Sequence, residues 1–199
     1  MSISPSQFNP QCLLPYECTT LCIFEAMNKF IDFLNVVNSG LNGAGMKSIE
    51  NISSSAGFSG MISDFMAQAL TDVCPGLHKN LYHNGHPDLI PIDMFTNNAV
   101  QHSHEGIEIK CSKNTGQWQG HNAEASWILA FEYDIDPLDN SFSFRRVTCA
   151  KLEESDWTIS GRGENSRRTP TASINKNGKN KMLANWVFKG YTTVEKEKI

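Results

Sequence analysis

Asp88, Glu108 and Lys110 carry the strongest chemical signal in the chain. Glu108 and Lys110 stand two residues apart in His104-Glu105-Gly106-Ile107-Glu108-Ile109-Lys110-Cys111-Ser112-Lys113, which reads as a buried β-strand. Successive strand side chains face opposite ways, so Glu108 and Lys110 emerge together while Ile107 and Ile109 turn to a core. A carboxylate and an ammonium at a strand end are costly to bury unless something charged meets them. Asp88, in His86-Pro87-Asp88-Leu89-Ile90, adds a second carboxylate at the start of another apolar run. Two converging carboxylates suit Mg2+, a hard cation that prefers oxygen and keeps several waters. An ion bridging a phosphate and an attacking water is a standard means of hydrolysing a phosphodiester. A neighbouring Lys would stabilise the pentacovalent charge and orient or deprotonate that water. The carbonyl of Ile109, between the two side chains, offers a further ligand. Asp88, Glu108 and Lys110 thus form a minimal hydrolytic set, with Asp88, Glu108 and Ile109 as metal ligands. The plainer alternative is a surface strand whose Glu108 and Lys110 pair with each other, with Asp88 in an unrelated loop.

The elements that must position this set can be read in outline. A chain of 199 residues, 40% hydrophobic, suits one domain with a substantial core. Apolar spacing predicts a helix from Thr19 or Thr20 to about Asn38, closed by Asn38-Ser39-Gly40, with a flexible connector over Gly40–Gly45. A helical turn follows over Ser48–Ser54, then a second helix over Ser59–Val73 that Cys74-Pro75-Gly76 stops. Asp88–Phe95 reads as extended, with Pro91 marking an edge, a bulge or an early end. Gly106–Cys111, Trp127–Tyr133 and Phe142–Leu152 read as strands, the last two as a hairpin across Asp136-Pro137-Leu138-Asp139-Asn140. Asn177-Gly178 reads as a turn. Helices first and strands after predict an α/β (α+β) protein with a mixed central β-sheet flanked by helices.

Charge is unevenly spread. The net charge is −4, but residues 161–199 hold nine basic and three acidic side chains, leaving the acidic excess to residues 1–160. The C-terminal fifth would attract a polyanion; a solvated basic tail is the alternative. No stretch reaches the roughly 18 apolar residues of a membrane span. The N-terminus lacks a charged segment followed by an apolar one, so no secretory signal is expected. A cytoplasmic protein whose six cysteines are free thiols is therefore expected. Cys12, Cys18 and Cys22 lack the paired elements of a zinc site and read as small buried residues.

Pro87-Asp88 followed twenty residues later by Glu108-Ile109-Lys110 resembles the PD-(D/E)XK nuclease superfamily. Length, preceding helices, surrounding strands and the basic region after the motif make the chain similar to small type II restriction endonucleases. The match covers residues 86–113. It implies a restriction-endonuclease-like fold, Mg2+-dependent cleavage of double-stranded DNA at a short sequence, and a homodimer. A further carboxylate from an earlier helix would be Glu50 by position. Asp93 could replace Asp88, and Glu105 could replace Glu108. The preceding Pro favours Asp88, and the Lys two residues on favours Glu108. Glu124 and Glu132 could stand behind the site, although Glu132 reads equally well as a solvent-facing strand residue. Lys113 could contact phosphate or merely end the strand. His86, His102, His104 and His121 read as polar loop residues, with His121 a possible groove or phosphate contact.

In the major groove Arg suits guanine and Asn suits adenine, and Arg162, Asn165, Arg167 and Arg168 supply that inventory. Lys176, Lys179 and Lys181 read as phosphate contacts, which position without specifying. Two other functions fit the same residues. One is a repair or recombination nuclease that recognises DNA structure. The other is a non-catalytic DNA-binding protein in which the trio is incidental.

Overall fold

The computed structural model describes residues 3–114, 116, 118–120, 122–160 and 171–190. Two long helices open the chain: α1 (Thr20–Gly43) and, after the single turn α2 (Ile49–Ile52), α3 (Ser55–Val73). Strands β1 (Leu77–Lys79), β2 (Leu89–Pro91), β3 (Ile107–Ser112) and β4 (Gln119–Gly120) follow. Then come β5 (Trp127–Ile135), β6 (Phe142–Lys151), β7 (Trp157–Ser160) and β8 (Thr171–Ile174). The described chain closes with α4 (Lys176–Ala184) and β9 (Trp186–Lys189).

Six strands form one sheet in the order β1-β2-β3-β5-β6-β9. Only β3 and β5 run parallel; the other neighbours are antiparallel, so the sheet is mixed and the fold is α+β. A second, three-stranded antiparallel sheet has the order β4-β8-β7. Strand β5 shows why the molecule has layers on both sides. Its Leu129, Phe131 and Tyr133 join a core with α1 and α3, whereas Ile128 and Ala130 join a second core with Trp118, Trp157 and Met182. Alternation along one strand thus feeds two apolar layers. Phe30 of α1, fully buried, ties the first layer together, its ring 5.3 Å from Phe65 of α3 and 5.3 Å from Phe142 of β6. Among the described residues no helix is long and apolar enough to cross a membrane.

Several expected boundaries move. Helix α1 continues through Ser39-Gly40 to Gly43, so the expected connector is mostly helix. Asn38 explains the continuation: from within the helix its Oδ1 accepts from Ile49 N–H and its Nδ2 donates to Glu50, fastening α2. Two glycines lower helix propensity by about 1 kcal/mol each, which such tertiary bonds can offset. Helix α3 starts earlier than expected because Ser54 caps it, accepting from Gly57 N–H. The extended run after Asp88 shrinks to Leu89–Pro91, since Asp93 takes a left-handed φ of 59°. Asn177-Gly178 lies in the first turn of α4 rather than in a separate turn, because the Asn175 side chain accepts from both backbone N–H groups.

Gly106 sets how closely β2 approaches β3. It sits at φ 130°, and a Cβ there would strike the Leu89 carbonyl oxygen and the Pro87 ring. Gly106→Ala is expected to cost about 1–3 kcal/mol through backbone strain, read as a lowered urea midpoint at unchanged m-value. An unchanged midpoint would show that the contact is not tight.

Candidate active site

Strand β3 does what its alternation predicts. Ile107 and Ile109 are buried in the helix-side core, and Glu108 and Lys110 project from the other face. There they lie beside Ile128 and Ala130, their in-register neighbours on β5. Asp88 immediately precedes β2, whose register pairs Leu89 with Ile107. That single pairing closes the twenty-residue gap between the two halves of the motif. The Asp88 Oδ2 accepts from Ile109 N–H at 2.8 Å, and Asp88 N–H donates to Glu108 Oε2 at 3.2 Å. The carboxylate thus takes a place that a longer β2 would have filled with a carbonyl.

Two side chains complete the cluster. Lys110 Nζ donates to Glu108 Oε1 at 2.7 Å and to Glu124 Oε1 at 3.1 Å. His86 Nδ1 lies 2.9 Å from Glu108 Oε2. Glu124 comes from the segment between β4 and β5, anchored by Trp157 Nε1 donating to the Glu124 carbonyl at 2.9 Å. His86 is held through its backbone, its N–H donating to the Gln101 carbonyl and its carbonyl accepting from Ser103 N–H, while the buried Asn80 donates from Nδ2 to the carbonyls of Pro87 and Val100. Asp88, Glu108, Lys110, Glu124 and His86 all line one cavity of about 590 Å³, with Asn84, His102 and Asn122 at its walls.

Electrostatics divide the carboxylates. Burial pushes Glu108 upward, but the His86 hydrogen bond and the Lys110 charge outweigh it and hold Glu108 at about 2. Burial and the adjacent Glu108 charge push Asp88 up to about 7. Burial likewise raises Glu124, against the pull of Lys110. For Lys110, burial alone would lower the pKa; the charges of Glu108 and Glu124 prevail and raise it. Lys110 is therefore held as an ammonium, a donor of charge and hydrogen bonds rather than a base. Burial also lowers His86, and the Glu108 hydrogen bond overcomes it.

The donors fit a divalent cation. Three carboxyl groups line this cavity with one ammonium and the imidazole of His86. Glu124 Oε2 is buried without a hydrogen-bond partner among the described residues, a costly state that an ion would relieve. One potential ligand atom from each of His86, Glu108 and Glu124 lies within 4.8 Å of the others, so these three could hold an ion.

Other expected residues lie elsewhere. Glu50 is bound by Asn38 and lines a different cavity with Lys47 and Asn140, so the added carboxylate of this site is Glu124. Asp93 is exposed beyond β2, and Glu105 accepts from Tyr16 Oη at 2.7 Å. Lys113 is exposed after β3, its carbonyl accepting from Arg145 Nη2. Glu132 is not a solvent-facing residue: it is fully buried, accepts from Gly116 N–H, and has Arg146 Nε at 3.2 Å. Of the three lysines of α4, Lys176 and Lys181 are exposed, and Lys181 pairs with Asp156 at 2.6 Å. Helix α4 packs through Met182 into the core that holds Ile128 and Ala130, which puts it on the same side of the main sheet as Glu108 and Lys110. Arg162, Asn165, Arg167, Arg168 and His121 lie outside the described residues. His86 was missed as a site residue; its signal was adjacency to Pro87-Asp88.

No family model, no curated protein and no solved structure matches this chain.

Proposed function

We propose that this chain is a metal-dependent, site-specific endonuclease of double-stranded DNA, acting as a homodimer in the manner of a type II restriction enzyme. One observation carries the proposal: Asp88 and the Glu108/Lys110 pair, twenty residues apart, share one polar cavity and hydrogen-bond to each other's elements. A chance Asp beside a surface Glu–Lys pair would not require this convergence. A divalent ion held by Asp88 and Glu108, with the Ile109 carbonyl, would polarise the scissile phosphate and acidify a bound water. Lys110 supplies an ammonium to the charge that develops on the phosphoryl oxygens. Glu124 and Glu108 aim that ammonium by holding it from two sides. Lys176 and Lys179 of α4 offer phosphate contacts on the same side of the sheet, and residues 160–170 supply the groups that would read bases.

Incubating the full chain with supercoiled, unmethylated plasmids and Mg2+ or Mn2+ tests this. Discrete fragments with ends that map to one short sequence are expected. Smeared or end-dependent digestion would instead indicate a structure-specific nuclease, and no cleavage of varied DNA with either ion would reject the proposal.

A further inference from the structure

We infer that His86, Glu108 and Glu124 form a mixed nitrogen–oxygen site that selects a first-row transition-metal dication over Mg2+. This deepens the nuclease assignment, on which it rests for the role of the ion, by naming the class of cofactor. One nitrogen or oxygen atom from each of the three residues lies within 4.8 Å of the others. Ligand atoms around one cation with bonds of about 2.1 Å stand roughly 3.0–4.2 Å apart, a spacing the set approaches. The Asp88–Glu108 pair alone offers only oxygen. The imidazole changes the preference, because nitrogen ligands suit later first-row dications such as Co2+ and Zn2+, with Mn2+ accepting nitrogen as well as oxygen, whereas Mg2+ keeps to carboxylates, carbonyls and water.

One feature besides the cluster points to an ion. Glu124 is 7% exposed and its Oε2 has no hydrogen-bond partner among the described residues. The Lys110 ammonium already bridges one oxygen of each carboxylate, at 2.7 and 3.1 Å, so an ion would be met by their other oxygens and the His86 ring. The cavity thus already holds one positive charge between these oxygens and keeps a further oxygen unmatched. The other ring nitrogen of His86 lies 3.5 Å from Ser126 Oγ, a contact that would steady the ring while Nδ1 faces the cavity.

The test uses the full chain without DNA. Isothermal titration with Mn2+, Co2+ and Mg2+ should show Mn2+ and Co2+ binding at least about tenfold more tightly than Mg2+. His86→Gln, which keeps a polar partner for Glu108, should erase that preference. On the unaltered protein, electron spin-echo modulation of bound Mn2+ should show a coordinated nitrogen, a readout independent of whether the variant folds. Equal affinities for Mg2+ and Mn2+, absence of the nitrogen signal, or a preference that survives His86→Gln would overturn the inference. Nitrogen-coordinated Mn2+ in a protein that cuts no DNA would leave this site standing and reject the nuclease. Cleavage without nitrogen coordination would do the reverse.

Discussion

Lys110→Met should lower DNA cleavage by about 10²–10³-fold, the usual loss when one donor to a developing oxyanion is removed. Met keeps most of the volume of the stem and deletes the charge. The substitution also acts on the resting protein. It leaves Glu108 and Glu124, both nearly buried, facing each other without the ammonium that joins them. Removing one partner of a buried ion pair typically costs 3–5 kcal/mol, so the metal-free variant should melt well below the wild type. A divalent ion would replace the missing charge and stabilise the variant by binding only the folded state. Cleavage is therefore compared at a metal concentration where the two melting temperatures agree. Under that condition the loss of activity reports chemistry rather than unfolding. Activity within about tenfold of wild type would mean that Lys110 is structural, a counter-charge for two glutamates, and would remove it from the catalytic set.

Asp88→Asn should abolish cleavage and, without metal, make the protein more stable at pH 8. The group is raised from 3.8 in an unfolded chain to about 7 in the folded one, by burial and by Glu108. A raised carboxyl favours the folded state at low pH. That advantage is complete below about pH 4 and is lost as pH rises through 7. Asn is neutral throughout, and its side-chain oxygen can still accept from Ile109 N–H. The stability gain should be near zero at pH 4, grow between pH 4 and 7, and reach about 2–4 kcal/mol at pH 8. Glu108 works in a different window: held at about 2, it stabilises above pH 4.5 and that contribution is lost as pH falls toward 2. The two effects separate in denaturant melts taken across pH. An ion should close the gap at pH 8 by stabilising the wild type. If Asp88→Asn is no more stable at pH 8, or equally more stable at pH 4, the carboxyl is not strained by its surroundings.

These two results would describe a site that trades stability for charge. Glu108 is neutralised by His86 and Lys110 and is content in the resting protein. Asp88 and Glu124 are not: burial raises both, and the Glu108 charge adds to it. Such a division suits a centre that must attract a divalent ion and yet stay folded when the ion is absent.

The residue types and their local period determined the faces of this protein. Ile107 and Ile109 against Glu108 and Lys110 needed only the two-residue repeat of a strand. The stripes of α1 and α3 and the β5–β6 hairpin followed from equally local patterns, and the structure bears them out. What local pattern could not decide was anything that depends on which distant backbone arrives alongside. Asp88 meets Glu108 because β2 registers Leu89 against Ile107. Glu124 enters the cavity because Trp157, thirty-three residues away, holds its carbonyl. Glu132 is buried rather than solvated because Arg146 comes from the facing strand, across a register shift beside it. A lone charge is expelled and a paired one is kept, so the burial of Glu108, Lys110, Glu124 and Glu132 was decided by partners that only the tertiary structure brings within reach.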